Sequence, residues 1–280
     1  MVVPSLSHRE WALLVLFALL LAGAFAGPAL PPPELGSAPF ADLRAWHGLP
    51  NAMDVLSNLA FAAIGIWGLL QLRRLDRARD AAQDVVPLPP AAKQPADNAL
   101  DCAWMFFAGL ILTAAGSAFY HLHPDGLRLA ADRAGMAVAF AGIVGVAVCD
   151  RVSARAGWPA AWLTLAGGLL AVAVFHETGN VLPWALVQFG GMALLLTLAL
   201  AKPMGSAIGF KPGWVILLYG LAKLFELSDH AIFEATHELI SGHTLKHLAA
   251  ALAALPVLHA VRAMGRQTLR QDPGTPAMTA

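Results

Sequence analysis

Three histidines, a serine and an aspartate stand near the ends of apolar runs, where polar groups are costly. Ser117 and His121 close one run four residues apart, Asp132 opens the next, and His243 and His247, again four apart, open the last. Ionisable residues at membrane depth are expensive to keep, so they are candidates for function. On a helix, positions i and i+4 share one face, so His243 and His247 can present two imidazoles to one ion. Zinc proteases space two histidines this way, although the glutamate of that motif is absent here. His121 supplies a third ligand in this reading. Three imidazoles leave a tetrahedral zinc one open position, where a water is acidified to a pKa of about 7. Asp132 then fits either of two roles: general base for that water, or partner orienting a ligand histidine. Ser117, one turn before His121, fits a donor to a developing oxyanion or a helix-packing hydroxyl.

The elements that must position these residues are membrane helices. Of the 280 residues, 58% are hydrophobic and 13% charged, against about 25% charged in a soluble protein. Runs long enough to span, about 17–25 residues, fall near 11–27, 52–72, 101–121, 132–150, 157–175, 181–201, 213–229 and 243–263. None alternates with period two, which argues against a β-barrel. The expected fold is all-α: a polytopic bundle with a seven-helix core and one extra N-terminal helix. Zero net charge argues against a nucleic-acid partner. Most basic residues, among them Arg9, Arg73, Arg74, Arg77, Arg79, Lys93, Arg151, Arg155, Lys202, Lys211, Arg262, Arg266 and Arg270, fall in alternate loops or at the termini. Arg44, Arg128 and Arg133 fall on the other side. The positive-inside rule then gives eight spans with both termini cytoplasmic. In that topology His121, Asp132, His243 and His247 share the outer end of the bundle, an agreement the charges did not presuppose.

Along the chain, 1–51 reads as a hydrophobic helix and a Pro-rich outer segment (Pro31, Pro32, Pro33, Pro39), 52–263 as one membrane domain and 264–280 as a cytoplasmic tail. The run from Trp11 to Ala26 is a retained helix or a cleaved signal, with retention favoured. Residues 73–99 read as the longest cytoplasmic loop, a solvated linker. Lys223 and Glu226 are expected to pair within the helix before His243, with Asp229 on that helix and, like His230, a candidate to support the metal. Glu234, His237 and Glu238 read as a solvated outer loop; His123, His176 and Glu177 are left out of the metal shell. Cys102 and Cys149 read as packing residues without a disulfide.

Ser117-x3-His121, Asp132 eleven positions later, and the terminal His243-x3-His247 resemble the alkaline ceramidase family. That family belongs to a wider group of seven-helix membrane metal hydrolases that includes the adiponectin-type receptors. Asp54-Val-Leu-Ser57-Asn58 is similar to the Asn-x-x-Ser-Asn of the family's first core helix. The resemblance covers about 52–263. It implies zinc held by His121, His243 and His247, Asp132 and Ser117 at the water and substrate, and hydrolysis of a ceramide-like or other N-acyl lipid. The animal enzymes bind calcium through an acidic, Trp-containing N-terminal stretch. Here Asp42, Trp46 and Asn51 occur without an acidic cluster, so calcium is not carried over. The Ala-rich, compact chain suggests a bacterial cell membrane. The expected partners are the bilayer and a lipid substrate, with the oligomeric state open. A lipid-binding, receptor-like protein with a structural zinc is the alternative. A transporter using Lys223, Glu226 and Asp229 is disfavoured by the lack of inverted repeats.

Overall fold

A computed structural model describes residues 5–31, 40–85, 95–205 and 207–270. Among the described residues there are helices and no strands. In chain order they are α1 (His8–Ala26), α2 (Ala52–Ser57), α3 (Leu59–Val85), α4 (Pro95–Leu122), α5 (Gly126–Arg151) and α6 (Ala154–Thr178). Then follow α7 (Leu182–Leu200), α8 (Pro212–Leu227), α9 (Asp229–Ala235), α10 (Gly242–Leu252) and α11 (Leu255–Arg270). Among the described residues seven segments are long and apolar enough to cross a membrane: α1, α2 with α3, α4, α5, α6, α7, and α10 with α11. The chain is a multi-pass membrane protein with α1 as the helix outside the core.

The structure corrects four details. Residues 73–85 are helix, not linker: α3 runs on through its basic stretch because Leu72 and Leu75 on one face are fully buried. Arg and Ala are good helix formers, so the charges change the solvent, not the conformation. The run expected at 213–229 stops at Leu227, and its 16 residues reach about 24 Å, short of the roughly 30 Å of hydrocarbon. Ser228 turns the chain at that point, so Asp229 opens α9 instead of continuing α8. The last run is broken at Ala253–Ala254, since Pro256 near the start of α11 has no N–H to continue the ladder of α10. Pro32, Pro33 and Pro39, Lys93 with the rest of 86–94, and the end of the tail from 271 lie outside the described residues.

Helices α4 and α5 form an antiparallel pair joined by a turn of three residues, His123 to Asp125. Gly109 and Gly116 on α4, and Gly135 and Gly142 on α5, repeat every seven residues along the contact. A Cβ at Gly116 would lie 2.6 Å from the Ala131 carbonyl oxygen, and one at Gly142 would lie 2.3 Å from the Phe106 nitrogen. Small residues thus let two backbones approach as they do in membrane interfaces generally. The consequence for function is local: Gly116 presses α4 against Asp132, the residue that must face Ser117. Outward, Leu19, Phe25, Trp162, Leu170 and Leu200 are exposed, as a lipid-facing surface requires.

At one end of the bundle, the last turn of α4, the first two turns of α5 and the first turns of α10 come together. Ser241 caps α10 by accepting from the Thr244 N–H at 3.0 Å. Gly242 lies so close to α8 and α9 that a Cβ would meet the Phe225 carbonyl oxygen at 2.3 Å.

Candidate metal centre

His121, His243 and His247 are buried, with 1%, 8% and 3% of their surface exposed. One ring nitrogen from each lies within 4.8 Å of the other two. His121 Nε2 and His243 Nε2 are 3.2 Å apart. A tetrahedral zinc with bonds of about 2.0–2.1 Å holds its nitrogen ligands about 3.3 Å apart, so this pair is already at the spacing an ion needs.

The third imidazole is oriented by Ser57 of the Asp54-Val-Leu-Ser57-Asn58 stretch, a residue whose spacing suggested no role. Ser57 Oγ lies 2.8 Å from His247 Nδ1, and Ser57 also donates its hydroxyl proton to the Asp54 carbonyl oxygen at 3.1 Å. A hydroxyl has one proton to give. With that proton on Asp54, Ser57 Oγ must accept from Nδ1–H, and the tautomer this assigns leaves the Nε2 lone pair free for an ion.

Other groups hold the backbone. Asp229 accepts from the His243 N–H at 2.7 Å and, through its other oxygen, from the Ala41 N–H at 2.9 Å. Its expected supporting role is therefore exerted on the main chain of a ligand and not on an imidazole. Asp54, fully buried, accepts from the Thr244 hydroxyl at 2.8 Å and ties α2 to the start of α10. Asn51 Nδ2 donates to the His121 carbonyl oxygen at 2.8 Å. Phe40 covers the cluster, its ring centroid 4.6 Å from that of His121 and 4.7 Å from that of His243.

Ser117 is buried on α4, next to the Gly116 that packs against the Cα of Asp132. Ser117 and Asp132 line a cavity of about 1130 Å³ together with the three histidines. All five residues singled out from the sequence thus meet at one cavity. His123 is exposed beside Asp125, at 3.8 Å, and neither it nor His176 belongs to the histidine cluster. His230 lines the cavity without joining the cluster. The expected Lys223–Glu226 ion pair is present, and Lys246 joins it at 3.4 Å.

Lys246 also bears on whether an ion fits. Its ammonium donates to His243 Nε2 at 2.8 Å, the lone pair a metal would take. Glu226 offers the long side chain its other partner, so a turn of Lys246 toward Glu226 clears the nitrogen. With that movement the donor set fits: three neutral imidazoles, two with Nε2 converging and one fixed by Ser57.

The missed residues carried weak signals. Asp54, Ser57 and Asn58 recur at i, i+3 and i+4 in an apolar stretch, which marks one polar helical face. Phe40 carried none, because covering depends on a segment distant in sequence. No protein-family model matches this chain, and no curated protein matches it.

Proposed function

We propose that the chain is a zinc-dependent membrane hydrolase that cleaves the amide bond of an N-acyl lipid, as its likeness to the alkaline ceramidases implies. The observation that carries this reading is the convergence of three buried imidazoles with Ser117 and Asp132 on one large, mostly apolar cavity. His121, His243 and His247 would hold the ion. Zinc bound there would supply an acidified water and Lewis acidity at the amide carbonyl.

The chain's own residues do the rest. Asp132 takes the proton of the attacking water and returns it to the amine as the C–N bond breaks. Ser117 donates to the charge developing on the carbonyl oxygen or, through its contact with Asp132, holds that carboxylate toward the water. Apolar side chains such as Met136, Phe140 and Leu195 receive the acyl chain. With α8 taken as a short eighth crossing that returns the chain to the end where α10 begins, the charge asymmetry supports both termini in the cytoplasm and the site toward the outer leaflet, where the amide of a lipid lies at headgroup depth.

One observation favours the receptor-like alternative with a structural zinc: the Lys246 ammonium crowds the ligand nitrogen of His243. A single assay separates the two. Purified protein in mixed micelles is given ceramide and other N-acyl lipids, and released fatty acid is measured. Hydrolysis by wild type, lowered about a hundredfold or more in Asp132→Asn and lost in His243→Ala, supports the amidase. Zinc-loaded wild type that releases nothing from any N-acyl lipid supports the receptor.

A further inference from the structure

Arg133 follows Asp132 on α5 and lines the same cavity as the histidines. Its guanidinium lies 3.9 Å from the ring centroid of Phe175 and 5.7 Å from that of Trp184. Its Nη1 is buried with no hydrogen-bond partner. The other charges on the cavity wall are engaged. Lys223 and Lys246 share Glu226, Asp125 is paired with Arg128, Asp229 accepts two backbone N–H groups, and Asp132 is attracted by Lys246 and by Arg133 itself. Among the described residues no carboxylate forms an ion pair with Arg133.

A half-buried cation whose innermost donor is cut off from solvent and unpaired is costly unless something satisfies it. The aromatic rings contact the face of the guanidinium and leave its in-plane N–H edge unused. That edge is a fork matched to the two oxygens of a carboxylate or phosphate. Close by, Leu129, Met136, Phe140, Met192 and Leu195 make the wall apolar. An amphiphile is the ligand that answers both halves.

We infer that the cavity selects an acyl lipid whose headgroup carries an oxyanion, a carboxylate or phosphate bound by the Arg133 fork, with the chain along the apolar wall. This rests on the reading of the cavity as an N-acyl-lipid site and narrows it: acyl amides of amino acids, or phosphorylated lipids, are taken in preference to neutral headgroups.

Calorimetric binding to the full chain in neutral detergent tests it with probes sharing one oleoyl chain. These are N-oleoyl glycine, its methyl ester, N-oleoyl ethanolamine and oleoyl lysophosphatidate. Wild type is expected to bind an anionic probe about tenfold or more tighter than the neutral ones, as befits a charge-assisted hydrogen bond. Preference for the acylglycine identifies a carboxylate headgroup, and preference for the lysophosphatidate a phosphate. Arg133→Gln is expected to bind the neutral probes as wild type does and to lose the preference. Arg133→Lys, which keeps the packing and charge but not the fork, is expected to weaken the anionic probes alone. Wild type that binds neither anionic probe tighter than the neutral ones overturns the inference, and so does a preference that survives in Arg133→Gln. Binding is read without turnover. A protein that prefers an anionic probe but releases no fatty acid therefore sinks the amidase reading alone, and one that hydrolyses acyl amides without preferring either anionic probe sinks this inference alone.

Discussion

Ser57 shows how much a single hydroxyl can decide. Its proton is committed to the Asp54 carbonyl, so it receives the Nδ1–H of His247 and leaves the Nε2 lone pair free for an ion. Removing such a partner typically lowers metal affinity about 10–100-fold. Ser57→Ala is therefore expected to weaken zinc binding by that factor in a competition titration with a chelator, while Ser57→Thr, which keeps the hydroxyl, stays near wild type. Unchanged affinity in Ser57→Ala would show that His247 needs no orienting group. A second residue-level prediction concerns acid. Burial alone would push the Asp42 carboxyl up, but Arg44, donating through Nε and Nη2 at 2.8 and 2.7 Å, outweighs it and holds the group below its ordinary 3.8. A carboxyl with a lowered folded-state pKa stabilises the protein fully above its unfolded value, and that contribution fades as pH falls through the folded one. Asp42→Asn should thus melt below wild type at neutral pH, with the gap closing below about pH 3.8. A gap that stays constant with pH contradicts the pairing.

At the scale of elements, the site is set by close backbone approach. Gly242 joins α10 to the α8–α9 corner, and any Cβ there meets backbone atoms that cannot swing away. Gly242→Ala should cost about 1–3 kcal/mol, as overpacking does, and should lengthen the Asp229–His243 N–H bond that fixes the first ligand of α10. The expected readout is a lower melting temperature together with weaker metal binding; a melting temperature and affinity equal to wild type would mean the corner is looser than described. Helix α1 is held in a different way. Arg155 grips Glu10 through two contacts of 2.7 Å, Ser153 donates to the same carboxylate, and Arg9 reaches the Arg151 carbonyl oxygen. These contacts join α1 to the end of α5 and the start of α6, so Glu10→Ala is expected to raise proteolysis near the N-terminus and leave metal content unchanged.

Across the whole molecule, the bundle was legible because hydrophobic length is a strong signal. The three-histidine cluster was legible because its ligands sit at helix ends with i, i+4 spacing. What stayed hidden has physical causes. The charges after Leu72 suggested a loop, but helix propensity does not require apolar residues, and two buried leucines anchor that turn of α3. The break at Ala253–Ala254 follows from Pro256, a residue apolar enough to pass unnoticed in a hydrophobic run. Ser57 acts between α2 and α10, Phe40 between the N-terminal segment and α4 and α10, and Arg133 between α5 and α6 and α7, and no spacing within one helix reveals those contacts. The measurement that most directly tests the account is metal content of the purified full-length protein, wild type against His121→Ala, His243→Ala and His247→Ala. The arrangement predicts one tightly held zinc per wild-type chain and its loss from each variant that still folds. A wild-type protein that binds no divalent metal, or variants that all keep it, would contradict a centre shared by the three imidazoles.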